Sequence, residues 1–275
     1  MPELPEVETI RCGLQKKLVG QKIESVIIRE TRMRVPVDER KLFSELPGQT
    51  FLEIGRRSKY LLLHLTKDKI LMVHLGMSGR VVLQATDEDF RKHDHIILNL
   101  VGGQQFRFHD PRRFGLVELV DASKLQQHVR IKNLGLEPLD NTTTSEVTWI
   151  KISTSKKPIK SLLMDANFIV GVGNIYANEA LFLAGIHPGK IANSLTRKEW
   201  DLLLHQVKLV LHKAIEQGGT TLNDFVNSSG EMGYFQQELA VYGREGAACK
   251  RCNHEILRIV QSGRSSFYCP HCQKI

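Results

Sequence analysis

The sequence predicts an α+β protein of several domains. The expected order is an N-terminal antiparallel β-sandwich with flanking helices, a helical middle part and a small C-terminal finger built on four cysteines. Short β-rich segments broken by turn residues fill residues 22–120, without regular helical patterns between them. Helical periodicity dominates after residue 133, and four of the five cysteines crowd into residues 249–272.

Length and composition are those of a globular protein with room for two or three domains. The chain has 275 residues, of which 41% are hydrophobic and 25% charged, and this excludes whole-chain disorder. The sequence contains no apolar run of transmembrane length, and glutamates occupy the place of a secretory signal's basic region. We therefore expect a cytoplasmic protein with no membrane partner.

Positive charge is concentrated near the C-terminus. The formal net charge is +8, and residues 239–275 contain six basic residues against two acidic ones. A basic terminal module beside a metal-binding pattern is typical of proteins that bind nucleic acid.

The first element is predicted to be a helix that ends before Gly20. Pro5 suits its first turn, and apolar residues recur at helical spacing. Those residues are Val7, Ile10, Leu14 and Leu18. Since Pro2 and Glu3 come immediately before this helix, we expect the N-terminus to be fixed.

Strands follow, and the clearest of them are predicted over residues 59–65, 70–75, 95–101 and 104–109. Gly102-Gly103 predicts a hairpin between the last two strands. Several short strands of this kind favour an antiparallel sandwich over alternating βαβ units.

The middle of the chain is predicted to be helical after a polar connection at residues 139–157. One helix is expected over 175–184, and a second begins at the capping box of Thr196 and Glu199. The two form a helical hairpin, a shape common in DNA-binding proteins. The glycine-rich residues 218–237 are predicted to form a mobile loop.

The most specific motif is Cys249-x2-Cys252-x16-Cys269-x2-Cys272. Two such pairs can place four thiolates about 2.3 Å from one tetrahedral zinc ion, and four protein ligands make the site structural. Redox-active cysteines are the alternative. Strands at 256–260 and 266–269 leave Arg264 near a hairpin tip, where a solvated arginine is the simplest interpretation.

The N-terminal segment suggests covalent chemistry. Removal of Met1 would give Pro2 a secondary amine, and α-amines titrate near pH 8. Such an amine can attack a sugar C1′ and form an iminium, with Glu3 as general acid or base. The alternative is a helix-capping segment without a catalytic role.

Two further patterns point to DNA. Gly171-Val-Gly173-Asn174 precedes a helix, whose backbone N–H groups could hold a phosphate, although it fails as a dinucleotide fingerprint. The turns 74–79 and 110–115 carry Met77 and Phe114 beside arginines, as base flipping requires, unless both side chains belong to the core. His93, Asp94 and His95 could hold a metal, but a sheet-edge cluster is the simpler interpretation. No P-loop is present, so we expect no nucleotide cofactor.

Taken together, the chain resembles the bacterial formamidopyrimidine-DNA glycosylases, which repair 8-oxoguanine and ring-opened purines. The resemblance runs nearly from end to end. It rests on Pro2–Glu8, Arg57–Tyr60, His74–Gly79, Asp110–Gly115, Gly171–Asn174, Tyr242–Arg244 and the four cysteines.

This resemblance implies a β-sandwich catalytic domain (1–133), a linker with a helix-two-turn-helix DNA-binding domain (134–238) and a zinc finger (239–275). DNA would lie in the cleft between the halves. The implied activity is base excision repair of damaged double-stranded DNA by a bifunctional glycosylase/AP lyase with one structural Zn²⁺. A monomer that is associated with the bacterial nucleoid through DNA is the family expectation.

The resemblance also implies roles for individual residues. Pro2 would be the nucleophile, Glu3 would assist at the sugar, and Lys59 and Arg264 would act near the reacting nucleotide. Phosphates would be held by His74, Asn174, Tyr242 and Arg264. The void left by the flipped base would be filled by Met77, Arg112 and Phe114, with Arg112 facing the orphaned cytosine. The lesion base would be capped by Thr220, Thr221, Leu222, Asn223, Asp224 and Phe225.

Two alternatives remain open. An endonuclease VIII-like glycosylase would act on oxidised pyrimidines, although that branch typically has glycine where this chain has Leu4. A catalytically silent DNA-binding protein would have kept the fold and the finger. The sequence leaves the role of Ser78 and the reactivity of Cys12 undetermined.

Overall fold

The computed structural model describes residues 2–219 and 239–275. These residues form two compact units, one that includes residues 2–132 and 217–219 and another that includes residues 133–216 and 239–275. Among the described residues, no helix is both long and apolar enough to cross a membrane.

The first unit begins with helix α1, Leu4–Leu18. Its apolar positions are buried as the periodicity predicts, and Gly20 follows with φ +86°. Pro5 lies in the first turn, where its missing N–H costs nothing. The predicted helix is confirmed.

Two four-stranded antiparallel sheets make up most of this unit. One has the order β1-β6-β7-β5 and the other β2-β3-β4-β8. The strands are β1 Ile23–Ile28, β2 Phe51–Arg57, β3 Tyr60–Leu65, β4 Lys69–His74, β5 Arg80–Ala85, β6 Asp94–Leu100, β7 Gln104–His109 and β8 Leu116–Asp121. Gly102 and Gly103 both have positive φ, so the predicted β6–β7 hairpin is confirmed.

The core of the first unit lies between the sheets and under α1. Alternate residues of the strands point into it, as in Leu61, Leu63 and Leu65 of β3, and meet Ile10 and Leu14 of α1. Each fully buried Leu or Ile contributes about 1.5–3 kcal/mol. This packing fixes the end of α1 against the sheets and thereby positions the N-terminus.

The prediction of strands alone over residues 22–120 is wrong at one place. A seven-residue helix, α2, spans Glu39–Glu45, and its N-cap Asp38 accepts the Lys41 N–H at 3.1 Å. Only Leu42 of this helix is buried. Two turns with a single core contact give no helical periodicity, and the pattern was therefore missed.

The second unit contains helices α3 Ser145–Thr154, α4 Ile159–Leu163, α5 Asn174–Ala184 and α6 Arg197–Glu216. The predicted connection at 139–157 is wrong, because α3 occupies much of it. Thr144 caps α3, and only Thr148 and Ile152 are buried, so a mostly solvated helix looked like a linker. The capping box of α6 is confirmed, since the Thr196 N–H donates to Glu199 at 2.7 Å.

The C-terminal finger carries a hairpin of β9 Leu257–Gln261 and β10 Arg264–Tyr268. Ser262 and Gly263 form its turn with φ +49° and +73°. Short 3-10 helices cover Ala122–Gln127 and Ala192–Ser194. The domain boundaries at 133/134 and 238/239 stay predictions.

Candidate functional site

The N-terminal residues are held by the start of α1. Pro2 is buried, and Glu3 is 4% exposed and serves as the N-cap. A capping box joins Glu3 and Glu6, in which the Glu3 N–H donates to the Glu6 carboxylate at 2.7 Å. The backbone of this segment is therefore fixed and its side chains are buried, so the N-terminus is ordered and not frayed.

Lys59 lies in a two-residue turn between β2 and β3. Ser58, the other turn residue, has φ +56° and is buried, so the turn has one defined conformation. Arg56 donates to the Ser58 carbonyl at 2.9 Å and to the Glu8 carboxylate at 2.7 Å. Since Glu8 is on α1, a charged contact ties the hairpin of Lys59 to the helix that follows Pro2 and Glu3.

Glu8 remains ionised in this contact. Burial by itself would raise its pKa, but hydrogen bonds from Arg56 and Arg11 and their positive charges lower the pKa below the usual value. Arg11 contributes a second bond at 2.7 Å. A doubly paired carboxylate of this kind is stronger than a single exposed ion pair.

His74, at the end of β4, is neutral at pH 7. Desolvation, followed by the nearby charges of Lys59, Arg34 and Arg130, lowers its pKa to about 4. Its Nδ1 accepts the Gly76 N–H at 2.9 Å and therefore carries no proton. The proton is on Nε2, which makes that atom a hydrogen-bond donor.

The turns after β4 and β7 are in direct backbone contact. Gly76 has φ +64°, and a Cβ at this position would lie 2.4 Å from the carbonyl carbon of Phe114. Only glycine permits that approach. The two turns therefore form one rigid assembly.

Ser78 joins the same two turns through hydrogen bonds. Its hydroxyl donates to Asp110 Oδ1 at 2.8 Å and accepts the Arg112 N–H at 3.2 Å. Asp110 Oδ2 accepts the Gly115 N–H at 2.7 Å. Ser78 is 7% exposed and Asp110 is fully buried, so the undetermined serine has a positioning contact.

The side chains carried by these turns face solvent. Met77 is 40% and Phe114 43% exposed, so neither is a core residue. The Arg112 guanidinium lies 4.8 Å from the centre of the Phe114 ring, a favourable cation–π distance. Exposed apolar side chains on a rigid support are what a wedge into stacked bases needs.

In the second unit, helix α5 connects Asn174 to the segment of Tyr242. Asn174 is the first residue of α5. The buried Glu179 accepts the N–H groups of Ala240, Val241 and Tyr242 at 2.8, 3.0 and 2.8 Å. Three bonds to one carboxylate fix Tyr242 relative to the helix.

The finger is held to the same helix and to α4. Asn178 of α5 accepts the Phe267 N–H at 2.7 Å. Lys160 of α4 is 2% exposed and donates to the Ser265 carbonyl at 2.8 Å and to the Ser266 hydroxyl at 2.7 Å. These contacts lie immediately after Arg264 and fix the strand that begins with it.

Arg264 is exposed and lines a pocket of about 340 Å³. Lys157 and Lys160 line the same pocket, so it is basic, although Lys157 is paired with Asp165 at 2.7 Å. Local sequence suggested only a solvated arginine. The structure shows in addition that the strand beginning with Arg264 is anchored and that its side chain lines a concave, basic pocket.

Glu8, Lys160, Asn178 and Glu179 were missed by the sequence reasoning. A signal existed for two of them, since Asn178-Glu179 interrupts the otherwise apolar helix α5. Buried polar residues need partners, and these two find theirs around Tyr242 and in β10. Glu8 and Lys160 gave no local signal, because a charged residue beside the apolar positions of a helix is ordinary and its buried partner lies elsewhere in the chain.

The four cysteines fit a zinc ion. The sulfur separations are 4.0 Å for Cys249–Cys272 and 3.4 Å for both Cys252–Cys269 and Cys252–Cys272. A tetrahedral site with bonds of 2.3 Å has sulfurs about 3.8 Å apart. No open position remains, and the metal is structural.

The structure bears differently on the predicted loop at 218–237 and on the histidine cluster at residues 93–95. Residues 220–225, which the resemblance assigns to capping of the lesion base, and most of the predicted loop 218–237 lie outside the described residues. The His93–His95 region is a hydrogen-bonded cluster in which His95 contacts the Asp110 carbonyl at 2.8 Å. It is not among the groups of described residues that could hold a metal.

Three family models cover most of the chain. They are the formamidopyrimidine-DNA glycosylase N-terminal domain (residues 1–117), its H2TH domain (134–226) and the zinc finger found in FPG and IleRS (246–275). The chain belongs to the formamidopyrimidine-DNA glycosylase family. It is therefore a DNA glycosylase with a zinc finger, and the resemblance seen in its motifs is confirmed.

Individual members are similar over their full length. The formamidopyrimidine-DNA glycosylase of Hydrogenovibrio crunogenus is 48% identical, over 100% of this chain and 97% of the relative. The Lactococcus lactis enzyme bound to abasic-site DNA is 37% identical with a TM-score of 0.91, covering 99% of this chain and 100% of that one. Its complex with oxidised-pyrimidine DNA has a TM-score of 0.92 at 37% identity, with 100% of both chains covered.

Proposed function

We propose that the chain is a bifunctional DNA glycosylase/AP lyase that excises 8-oxoguanine and formamidopyrimidine lesions from duplex DNA through a Schiff base on Pro2. The observation that carries the proposal is the fixed N-terminus, where Pro2 and Glu3 are buried and held by a capping box. The Glu8–Arg56 contact ties this element to the hairpin of Lys59.

Chemistry begins once Met1 has been removed. The neutral Pro2 amine attacks C1′ of the flipped nucleotide, and the bond from C1′ to the base breaks. The base leaves with the bonding electron pair and takes up a proton, while the attacking nitrogen loses one, so that charge balances. Glu3 supplies a proton to the ring oxygen O4′, so that the sugar opens as an iminium. The covalent bond splits one difficult displacement into easier steps.

Strand cleavage follows from the iminium. Loss of a C2′ proton expels the 3′ phosphate by β-elimination, and a second elimination expels the 5′ phosphate. Water then hydrolyses the Schiff base and restores Pro2. The ammonium of Lys59 and the guanidinium of Arg264 favour these steps, since each stabilises the charge of a departing phosphate.

DNA recognition is assigned to the remaining residues. Neutral His74 offers its Nε2–H to a phosphate, and Asn174 and Tyr242 act in the same way from α5 and its attached segment. Met77 and Phe114 enter the base stack, while Arg112 bonds the orphaned cytosine.

Structural zinc supplies folding free energy to the finger that carries Arg264. We further propose that the protein acts as a monomer on chromosomal DNA in the bacterial cytoplasm. The concentration of basic residues in residues 239–275 supports a polyanionic partner.

The test is borohydride trapping on a duplex with 8-oxoguanine opposite cytosine. We expect a covalent protein–DNA product that maps to Pro2 and is much weaker with Pro2→Gly, which keeps an N-terminal amine but loses the pyrrolidine ring. Glu3→Gln keeps an oxygen for the helix cap, so it is expected to bind DNA normally and to lose turnover. The matched control is Glu24→Gln, an exposed residue on β1, which is expected to behave as wild type.

Three results would contradict the proposal. Tight binding without an adduct, with Met1 retained, would indicate a silent binder. An adduct with oxidised thymine alone would indicate the pyrimidine branch. Equal loss of DNA binding in Pro2→Gly and Glu3→Gln would remove the catalytic assignment.

A further inference from the structure

The outer surface of the finger carries a second cluster of metal-binding side chains. Among the described residues, only two groups of His, Cys, Asp or Glu have ligand atoms close enough to hold an ion. One is the set of four cysteines. The other is Cys252, His254 and His271, whose ligand atoms lie within 4.8 Å of one another.

The two histidines are arranged face to face. Their ring centroids are 4.4 Å apart and their planes are inclined by only 8°. The nitrogen lone pairs of parallel rings lie in parallel planes and do not converge on one point, so one ring has to turn before both can bind an ion. Both side chains are exposed and accessible to solvent, which permits this rotation. His254 belongs to the first cysteine knuckle and His271 to the second, so an ion bound by both would cross-link the knuckles from outside.

Hydrogen bonds within the first knuckle hold the backbone of His254 and select the tautomer of its ring. The Cys249 N–H donates to the His254 carbonyl at 2.8 Å. The His254 Nδ1 lies 3.2 Å from the Cys252 carbonyl. Since a carbonyl only accepts, Nδ1 carries the proton and Nε2 has a free lone pair, as in many metal-binding histidines.

We infer that Cys252, His254 and His271 form a second, exposed metal site that binds a divalent ion of the zinc–copper class. Two imidazoles and a thiolate suit such ions and exclude magnesium and calcium, which prefer oxygen ligands. Cys252 keeps lone pairs when bound to the finger zinc and bridges the two ions. Three protein ligands leave one position for water.

Zinc stoichiometry of the holoprotein tests the inference. After dialysis against chelator-buffered Zn²⁺, we expect wild type to bind a second equivalent and His254→Gln/His271→Gln to keep only the finger zinc. The control variant is His205→Gln/His212→Gln, which removes two exposed histidines of α6. These are two helical turns apart, about 10 Å, too far to share an ion, and the control is expected to bind two equivalents.

Cobalt reports whether Cys252 takes part. Co²⁺ added to the one-zinc protein is expected to give a thiolate-to-cobalt charge-transfer band, which the double histidine variant lacks. A wild type that stays at one equivalent, a double variant that binds two, or a cobalt spectrum without the thiolate band would overturn the site. Borohydride trapping is independent of all three results, so the proposed activity fails or stands separately.

Discussion

His74 shows how tertiary surroundings determine the chemistry of a single residue. The family resemblance implied a phosphate contact for this residue without indicating its charge. Burial and three nearby cations keep the ring neutral, and the Gly76 N–H selects the tautomer. His74 is therefore a neutral N–H donor at pH 7, and in the proposed role it would offer this group to a phosphate.

The low pKa of His74 predicts loss of stability in acid. The unfolded chain takes up this proton near pH 6.5, whereas the folded protein does so only near pH 4. Stability is therefore complete above pH 6.5 and falls as the pH drops toward 4, by at most about 3 kcal/mol. Urea unfolding followed by circular dichroism is expected to show a smaller acid loss for His74→Gln than for wild type.

The exposed His205→Gln provides the control for this measurement. It is expected to follow the wild-type pH profile, because its side chain lies in solvent on α6. Parallel profiles for wild type and His74→Gln between pH 6.5 and 4.5 would rule out a depressed pKa at His74.

At the scale of elements, α1 and the β2–β3 hairpin are joined by Glu8 and Arg56. Glu8→Gln keeps the shape of the side chain but removes the charge that two arginines share. We expect turnover to fall roughly tenfold, because Lys59 loses its position relative to Pro2, with little change in DNA affinity. Single-turnover kinetics and binding titrations separate the two effects.

Asp121→Asn is the matched control for Glu8→Gln. It also breaks ion pairs to two cations of the first unit, Lys69 and Lys124, but does not touch α1. Its turnover is expected to equal that of wild type. Equal losses in both variants would show a general stability effect rather than a positioning role.

The two turns that carry Met77 and Phe114 form another unit at this scale. Ser78→Ala leaves the buried Asp110 with one partner fewer and frees the Arg112 N–H, at a cost of about 1–3 kcal/mol. We expect slower excision of 8-oxoguanine but nearly unchanged cleavage of a preformed abasic site, which needs no base flipping. Excision and lyase rates on matched duplexes measure this difference.

Ser123→Ala removes an exposed hydroxyl of the same unit and is expected to leave both rates unchanged. If Ser78→Ala slows both reactions equally, Ser78 does not act through the wedge. Either result shows whether Ser78, whose role the sequence left undetermined, acts through the two turns on base excision.

At the scale of the whole molecule, zinc connects folding to DNA binding. Removal of the ion is expected to unfold the finger, displace Arg264 and abolish DNA binding, while the sandwich core of the first unit keeps its strands. Filter binding and circular dichroism before and after chelation measure the two effects. Cys12→Ser is expected to retain zinc, and full binding after verified zinc removal would contradict the prediction.

Long periodic elements were predictable because one chain segment contains their whole signal. α1, the β6–β7 hairpin and the capped helix α6 follow directly from apolar spacing, paired glycines and a capping box. The short helix α2 and the solvated helix α3 were missed, because each buries only one or two side chains. A helix that buries only one or two side chains shows no periodic spacing of apolar residues in its sequence, whatever the helix propensity of its residues.

The sequence by itself determined the family, the zinc ligands and the candidate residues, because these depend on which residue types occur in which order. Tertiary structure alone decided how they are held. It pairs Glu8 with Arg56, Ser78 with Asp110, Lys160 with the Ser265 carbonyl and Glu179 with the Tyr242 N–H. These partners are far apart in the chain, and their strength depends on desolvation. A local sequence pattern contains neither the distance between these partners nor the burial of their side chains. Both arise only when the chain is folded.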